Sequence, residues 1–284
     1  MTILAAGKVN YRARIERAAK LAGRDEFAAR EILSFYGLLA KFQKGYYERL
    51  PKLWGKKAVA PANGDLRSEL NLGVVLEAFG ELITLAEERT PAALAEEAAR
   101  LRSKGCARQG EILLEFWKTG MVESNTGSES GQKDRIVNDF FSRAILQPYV
   151  EFVTGAMLPP APLMTVCRCP RCNALPLLGV LRQEGDGGKR FLLCSFCSLE
   201  WEFRRLLCAK CGEETEQKLP VYSAEQFPYI RMECCETCRH FLRTIDLTKD
   251  GNAVPLVDDL AAVPLTLWAE ENGYRRIQGN LLGT

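Results

Sequence analysis

The chain has 284 residues, 47% of them hydrophobic, and a formal net charge of +2. That length allows two domains and that composition is ordinary for a globular protein, while the near-neutral charge argues against nucleic acid as a partner, since nucleic-acid binders carry a clear basic face. Met1–Gly7 is too short an apolar run for a signal peptide, and the late apolar run Leu260–Ala269 contains Pro264 and falls far short of a membrane span, so the expectation is a cytoplasmic protein without membrane insertion.

Residues 9–157 read as helices. Periodicity is clearest in Asp25–Leu50, where Leu33, Tyr36, Leu39/Ala40, Phe42 and Tyr46 recur at three- or four-residue steps. Asp25 is a plausible N-cap, and Pro51 is expected to end this helix because the residue before proline resists helical geometry. A connector, Lys52–Gly64, follows. Asp65–Arg89 reads as one long helix or two shorter ones, with Leu72, Leu76, Phe79 and Ile83 on one face. Thr90-Pro91 opens the next helix, with threonine as cap and proline at the first position, and it runs to about Gly105. Gln109–Thr119 is short and apolar, Val122–Gly131 is a polar Gly/Ser-rich loop, and Lys133–Gly155 is a last long helix. The loop lacks the Gly-Lys-Ser/Thr ending of a phosphate-binding loop. The expectation is an all-helical bundle of about six helices whose apolar stripes form core.

Pro159, Pro160 and Pro162 mark a domain boundary at 158–166, and beyond it the pattern turns to strands. Leu175–Arg182 and Arg190–Leu193 flank a Gly185-Asp186-Gly187-Gly188 hairpin turn, and Leu199–Leu207 carries Trp201 and Phe203 at alternating positions. Further strands are expected near Leu219–Tyr222, Tyr229–Cys234 and His240–Leu247, with a closing helix near Asp258–Glu271.

Ten of the eleven cysteines lie between Cys167 and Cys238. Eight form four C-x-x-C pairs: Cys169/Cys172, Cys194/Cys197, Cys208/Cys211 and Cys235/Cys238. The gaps Cys172–Cys194 and Cys211–Cys235 hold 21 and 23 residues, so two nearly equal units stand in tandem. A C-x-x-C turn lets two thiolates converge on one ion, and two such turns joined by a hairpin supply a tetrahedron of soft ligands suited to zinc or a single iron. The residue after each second cysteine favours a left-handed conformation. Gly212 adopts that freely and Asn173 tolerates it, whereas Ser198 and Arg239 do so less readily. Disulfides fit an exported chain better. No βαβ pattern supports a thioredoxin-type pair, and no C-x₂-C-x₂-C run signals a cubane cluster. Pairing is expected between the first and second knuckles and between the third and fourth, with interleaving left open.

Residues 165–245 carry 12 Lys/Arg and 10 Asp/Glu. Four thiolates around a divalent ion add about −2 per site, so two zinc sites would turn this region acidic overall. Each module is too small for a good core alone, and the metal should supply much of its folding free energy. Cys106 is expected to be a packing residue, and Cys167 and Cys234 spare thiols, although Cys234 could replace Cys235 in a C-x₃-C pair with Cys238. His240, the only histidine, follows a complete ligand set and is expected on a strand. One histidine also makes a Ser–His–Asp hydrolase unpersuasive. Asp258 and Asp259 diverge by about 100° on a helix and read as charge at a helix N-terminus rather than as a catalytic dyad. Arg204 and Arg205 read as a solvated strand face.

The run C-P-R-C-N at 169–173, with L-L-C-S-F-C at 192–197, E-W at 200–201, C-A-K-C-G at 208–212 and C-E-T-C at 235–238, resembles the formate dehydrogenase accessory (formation) protein family, of FdhE type. D-D-L-A at 258–261 and E-N-G-Y at 271–274 are similar to it too. The likeness is sharp over about 165–280 and rests on architecture over 1–157; Asn173 and Arg239, where glycine is expected, and the extra Cys234 depart from it. It implies an α+β protein: an N-terminal all-α helical bundle (1–157), a Pro-rich linker (158–166), two tandem rubredoxin-like small β metal-binding modules (167–207 and 208–284) and a C-terminal helix in the second. It implies a non-catalytic accessory protein that binds the formate dehydrogenase catalytic subunit precursor in the cytoplasm and supports its maturation. The eight knuckle cysteines would hold two iron ions, with zinc as the alternative. A rubredoxin-type electron carrier is the competing reading, and a homo-oligomer is left open.

Overall fold

The computed structural model describes residues 9–24, 29–54, 66, 70–90, 92–119, 129–157, 164–185 and 187–283, with the backbone alone at 93, 119 and 129–138. Asp25, the 158–163 prolines, Pro91, Asp186 and most of the 55–69 and 120–128 stretches lie outside the described residues. The chain divides into two units, Met1–Gly37 with Leu158–Leu282, and Leu38–Met157.

The second unit is helical. It contains most of α2 (Arg30–Trp54), then α3 (Leu72–Arg89), α4 (Ala92–Ser103), α5 (Gly105–Thr119) and α6 (Glu129–Gly155). Helix α3 starts where the Asn71 side chain accepts from Val74 N, an N-cap that satisfies one of the first turn's free amides. Its buried stripe, Val74, Val75, Ala78, Phe79, Leu82, Ile83 and Ala86, follows the helical period. The Thr90 hydroxyl donates back to Ala86 O at the end of α3, so its bond serves the preceding helix. Three expectations shift. Pro51 does not end α2, which continues to Trp54. The proline removes one backbone bond in the last turn, and Trp54 anchors that turn with its ring 5.3 Å from Tyr149 and 6.0 Å from Phe152. Helix α6 begins at Glu129, inside the stretch read as a loop. Cys106 is exposed on α5 and is not a packing residue.

The first unit gathers helix α1 (Tyr11–Ala22) with the cysteine-rich region. Here lie β1 (Pro176–Glu184), β2 (Gly187–Cys194), β3 (Glu200–Glu202), β4 (Val221–Ala224), β5 (Phe227–Cys235), β6 (His240–Asp246), α7 (Pro255–Ala261), α8 (Val263–Glu271) and β7 (Arg275–Arg276). The single closing helix of the sequence reading is two helices. Pro264, in the first turn of α8, has no N–H with which to continue the α7 ladder, and the chain breaks at Ala262, whose φ and ψ are −92° and 30°.

Strands β1–β3 and β4–β6 each form an antiparallel three-stranded meander, but they are not separate sheets. The order is β3-β2-β1-β6-β5-β4, with β1 and β6 paired in parallel at Gly179–Leu181 and Thr244–Asp246. Both central strands are buried along most of their length, as expected where both faces of a sheet are covered. At the junction Gly179 lies opposite Thr244, and a Cβ there would sit 2.2 Å from Thr244 Oγ1. With Thr244 opposite, glycine is the residue that fits at this position.

On one face, α7 packs through charge. Asp258 and Asp259 are fully buried. Asp258 accepts from Val254 N (2.7 Å), Tyr229 Oη (2.8 Å) and the Arg17 guanidinium of α1 (2.5 Å). Asp259 meets Arg243 of β6 at 2.9 Å, Arg276 of β7 at 2.6 Å and Asn280 Nδ2 at 2.9 Å. The reach of Asp258 back to Val254 N is the expected charge at a helix start. The rest is a pair of buried hubs. Arg17, buried on α1, explains why residues 11–22 join this unit although the sequence reading placed them with the helical bundle. Burial alone would raise the Asp259 carboxyl and lower Arg243, and Arg243 falls to about 10; Arg243 and Arg276 nevertheless hold Asp259 below the ordinary carboxylate range.

Two outcomes are expected. Gly179→Ala should cost about 1–3 kcal/mol in denaturant unfolding, the usual range for overpacking a closed core, and Gly179→Ala with Thr244→Ala should recover most of it. Asp259→Asn should cost about 3–5 kcal/mol near neutral pH, because Arg243 is left buried and unpaired. Asp259 has a depressed folded pKa, so its stabilisation is present above the unfolded value of about 3.9 and is lost as pH falls through the folded value. The gap between wild type and variant should therefore narrow below about pH 4.

Candidate metal centres

Two backbone bonds recur among the knuckles, each in three of the four. The first cysteine's N–H donates past the turn: Cys169 to Ala174 O (2.8 Å), Cys194 to Leu199 O (2.9 Å) and Cys208 to Glu213 O (2.9 Å). Its carbonyl accepts from the residue after the second cysteine: Asn173 N to Cys169 O (2.9 Å), Gly212 N to Cys208 O (3.1 Å) and Arg239 N to Cys235 O (2.9 Å). Closing that ring requires a left-handed residue. Asn173, Ser198, Gly212 and Arg239 have φ of 58°, 54°, 77° and 55°. Ser198 and Arg239, the poorer candidates by residue type, adopt the same geometry. Arg239 gains from its side chain, which donates to Asn272 O at 2.7 Å and lies 4.1 Å from the Tyr274 ring centroid.

The sheet brings the knuckles together in chain order. Cys169, Cys172, Cys194 and Cys197 form one cluster and Cys208, Cys211, Cys235 and Cys238 the other, with all sulfurs of a cluster within 4.8 Å of one another. The pairing is first with second and third with fourth. The sulfur–sulfur separations are 3.3 Å for Cys172–Cys194, 3.5 Å for Cys169–Cys197, 3.8 Å for Cys208–Cys238 and 3.7 Å for Cys211–Cys235. A tetrahedron with metal–sulfur bonds of about 2.3 Å has sulfur–sulfur edges of about 3.8 Å, so the donor set fits one tetrahedral ion in each cluster. Backbone amides already point at the sulfurs: Phe196 N and Cys197 N at Cys194 Sγ, and Lys210 N at Cys208 Sγ, each at 3.4 Å. Such donors favour thiolate over thiol.

The clusters differ in exposure. The first is wholly buried. In the second, Cys211 is exposed and Cys238 half-buried. Burial pushes the Cys194 and Cys197 thiols well up and Cys208 to about 11. Burial also opposes ionisation of Cys169 and Cys235, but in each the hydrogen bonds of neighbouring cluster groups prevail and bring the thiol below its ordinary value. A metal must therefore displace protons from the thiols that burial holds protonated, Cys194 and Cys197 in the first cluster and Cys208 in the second.

The remaining candidates fall outside the clusters. Cys234 is buried on β5 opposite Phe241, its thiol pushed up to about 12 by burial, so Cys235 is the cluster's member. Cys167 Sγ lies 3.7 Å from Cys208 O, beside the second cluster but not in it. His240 opens β6, with Nδ1 2.7 Å from Cys238 O, and is not a member of either cluster. Arg204 and Arg205 are exposed, as expected. Residues 275–280 were missed by sequence reasoning. Arg276 and Asn280 complete the Asp259 site, and a two-residue strand gives no periodic signal. Among the described residues, no helix is long and apolar enough to cross a membrane.

The fold and clusters define an α+β protein with helices followed by two candidate four-cysteine metal sites on one sheet. Residues 168–205 match the family model "FdhE, central domain" and residues 206–282 match "FdhE, C-terminal domain". The "Protein FdhE homolog" of Aquifex aeolicus is 36% identical over 116 residues, 40% of this chain and 41% of that protein. That of Pseudomonas aeruginosa is 36% identical over 121 residues, 40% of this chain and 38% of that protein. The matched stretch thus spans about two fifths of those relatives' length. The crystal structure of the FdhE protein from Pseudomonas aeruginosa superposes with a TM-score of 0.72 at 25% identity, covering 96% of this chain and 95% of that one. Residues 168–282 thus carry both FdhE domains, and the fold shared with the FdhE protein from Pseudomonas aeruginosa extends over nearly the whole length.

Removing one of four ligands leaves the ion weakly held. Cys172→Ala should lose about half of the metal bound per chain and lower the unfolding temperature, as read by elemental analysis and thermal denaturation. Cys106→Ala, on the exposed face of α5, should change neither.

Proposed function

We propose that this protein is a non-catalytic accessory factor of the cytoplasm that binds the catalytic subunit of formate dehydrogenase before that enzyme is complete and supports its maturation. The observation that carries this reading is the match to FdhE in both cysteine-rich domains together with a shared fold over 96% of the chain. The form of the clusters supports it. Each has four protein thiols, leaving no ligand position for a substrate in a four-coordinate site, the closed arrangement of structural metal centres. The eight knuckle cysteines would hold iron, one ion per cluster, with zinc as the alternative. When bound, the metal supplies a cross-link between knuckles and, if iron, a one-electron couple.

One observation favours a second reading, rubredoxin-type electron transfer: Cys211 is exposed, so the second cluster reaches solvent. Protein purified without air decides between them. Iron that cycles reversibly between oxidation states supports electron transfer, and colourless zinc-loaded protein of full activity in maturation excludes it.

The accessory reading is tested by expressing the tagged chain with a formate dehydrogenase catalytic subunit under anaerobic conditions. The two should co-purify, and formate dehydrogenase activity should fall severalfold in cells that lack the chain. Metal-loaded protein that captures none of the subunit would overturn the reading.

A further inference from the structure

The sheet face opposite α7 carries a feature that the metal clusters do not use. Side chains alternate along β6, so Arg243, bonded to Ala262 O and Asp259, faces α7, while Leu242 and Thr244 face the other way. On that second face lies a pocket of about 150 Å³, built from both modules. Val221 on β4, Glu233 on β5 and Leu242 on β6 are register neighbours and form one row from its rim inward. Leu181 and Arg190 enter from the first module, and Arg205 and Leu206 come from the segment that joins the two.

The pocket is too small for a cofactor, since small-molecule sites begin at roughly 300 Å³. Its size suits one side chain. Its polar groups specify the charge of that side chain. Arg190 is buried and bonded through its terminal nitrogens to Arg204 O, Leu207 O and the Glu233 carboxylate, yet its Nε has no hydrogen-bond partner. Arg231 is neutralised by Asp246 at 2.7 Å. Among the described residues Arg205 pairs with no carboxylate, and its Nη1 reaches Gly188 O at 3.4 Å. Buried donors without partners are costly, and a surplus guanidinium beside one calls for an acceptor with negative charge. The lip is apolar: Leu206 and Val221 are 52% and 57% exposed. Among the described residues β4 pairs only with β5, so the sheet ends beyond Val221. Its outer edge offers free backbone groups to an extended chain.

We propose that this pocket and the β4 edge form a docking site for an extended acidic–apolar segment of a partner polypeptide. A carboxylate of that segment lies against Arg205 and Arg190, and its apolar neighbours cover Leu206 and Val221. The inference rests on the accessory reading above, which supplies the partner.

The test uses the full, metal-loaded chain and the purified catalytic-subunit precursor of formate dehydrogenase, titrated in a calorimeter. Arg205→Glu and Val221→Asp alter exposed side chains and should leave metal content and thermal unfolding unchanged. Each should weaken binding at least about tenfold, or 1.4 kcal/mol. Lys20→Glu, an exposed charge reversal on α1, should leave it unchanged. The wild-type affinity should also fall more steeply with salt than that of Arg205→Glu. If Val221→Asp fails to fold, Arg205→Glu decides. Wild-type binding with equal affinity in Arg205→Glu overturns the docking site and leaves the accessory reading standing. No wild-type binding defeats the accessory reading, and the docking site with it.

Discussion

Everything in the cysteine-rich unit depends on holding four sulfurs close together at two places. Thiols at 3.3–3.8 Å, as in Cys172–Cys194 and Cys208–Cys238, are favourable neighbours only when a cation sits among them or most remain protonated. The knuckles bring them there at a backbone cost, since three of the four turns place a residue other than glycine at φ between 54° and 58°. That cost is borne because the turns at Cys169, Cys194 and Cys208 also close a bond from the first cysteine's amide. The same contacts fix where the strands start: Cys194 ends β2, Cys235 ends β5, and His240 begins β6.

The two clusters do not define two independent bodies. The parallel pairing of β1 with β6 fuses the meanders into one sheet, and Gly179 permits it. The buried carboxylates of α7 then tie that sheet to elements far away in sequence. Asp259 joins β6 and β7, and Asp258 joins α1 and β5. Buried ion pairs of this kind contribute less to net stability than to choosing one arrangement, because removing either partner leaves an uncompensated charge. Here they specify which face of the sheet α7 covers. The opposite face is left to present Val221, Leu206 and the arginines.

The clusters were legible in the sequence because C-x-x-C is a local signal and the gaps of 21 and 23 residues are each long enough for a hairpin. The helix positions were legible for the same reason, as with Phe79 and Ile83 on the buried stripe of α3. What was missed is non-local. Nothing near Gly179 announces Thr244, and nothing in residues 11–22 announces that Arg17 will meet Asp258, 241 positions on. The adjacent Asp258 and Asp259 were seen as charge at a helix start. Their separation by about 100° around the helix, which argues against a dyad, is also what sends Asp258 to Arg17 and Asp259 to Arg243 and Arg276. Pro51 misled in the opposite direction, where the packing of Trp54 overrode a local rule.

The central claim is that the two thiol clusters and the shared sheet form one cooperative structure. Amide hydrogen exchange across β1 and β6, before and after metal is stripped with a chelator, tests it most directly. Both strands should lose protection together, including Val180 and Ile245, which lie side by side at the parallel junction. Retained protection in either strand after both ions are gone would contradict the claim and assign the sheet's stability to its apolar core alone.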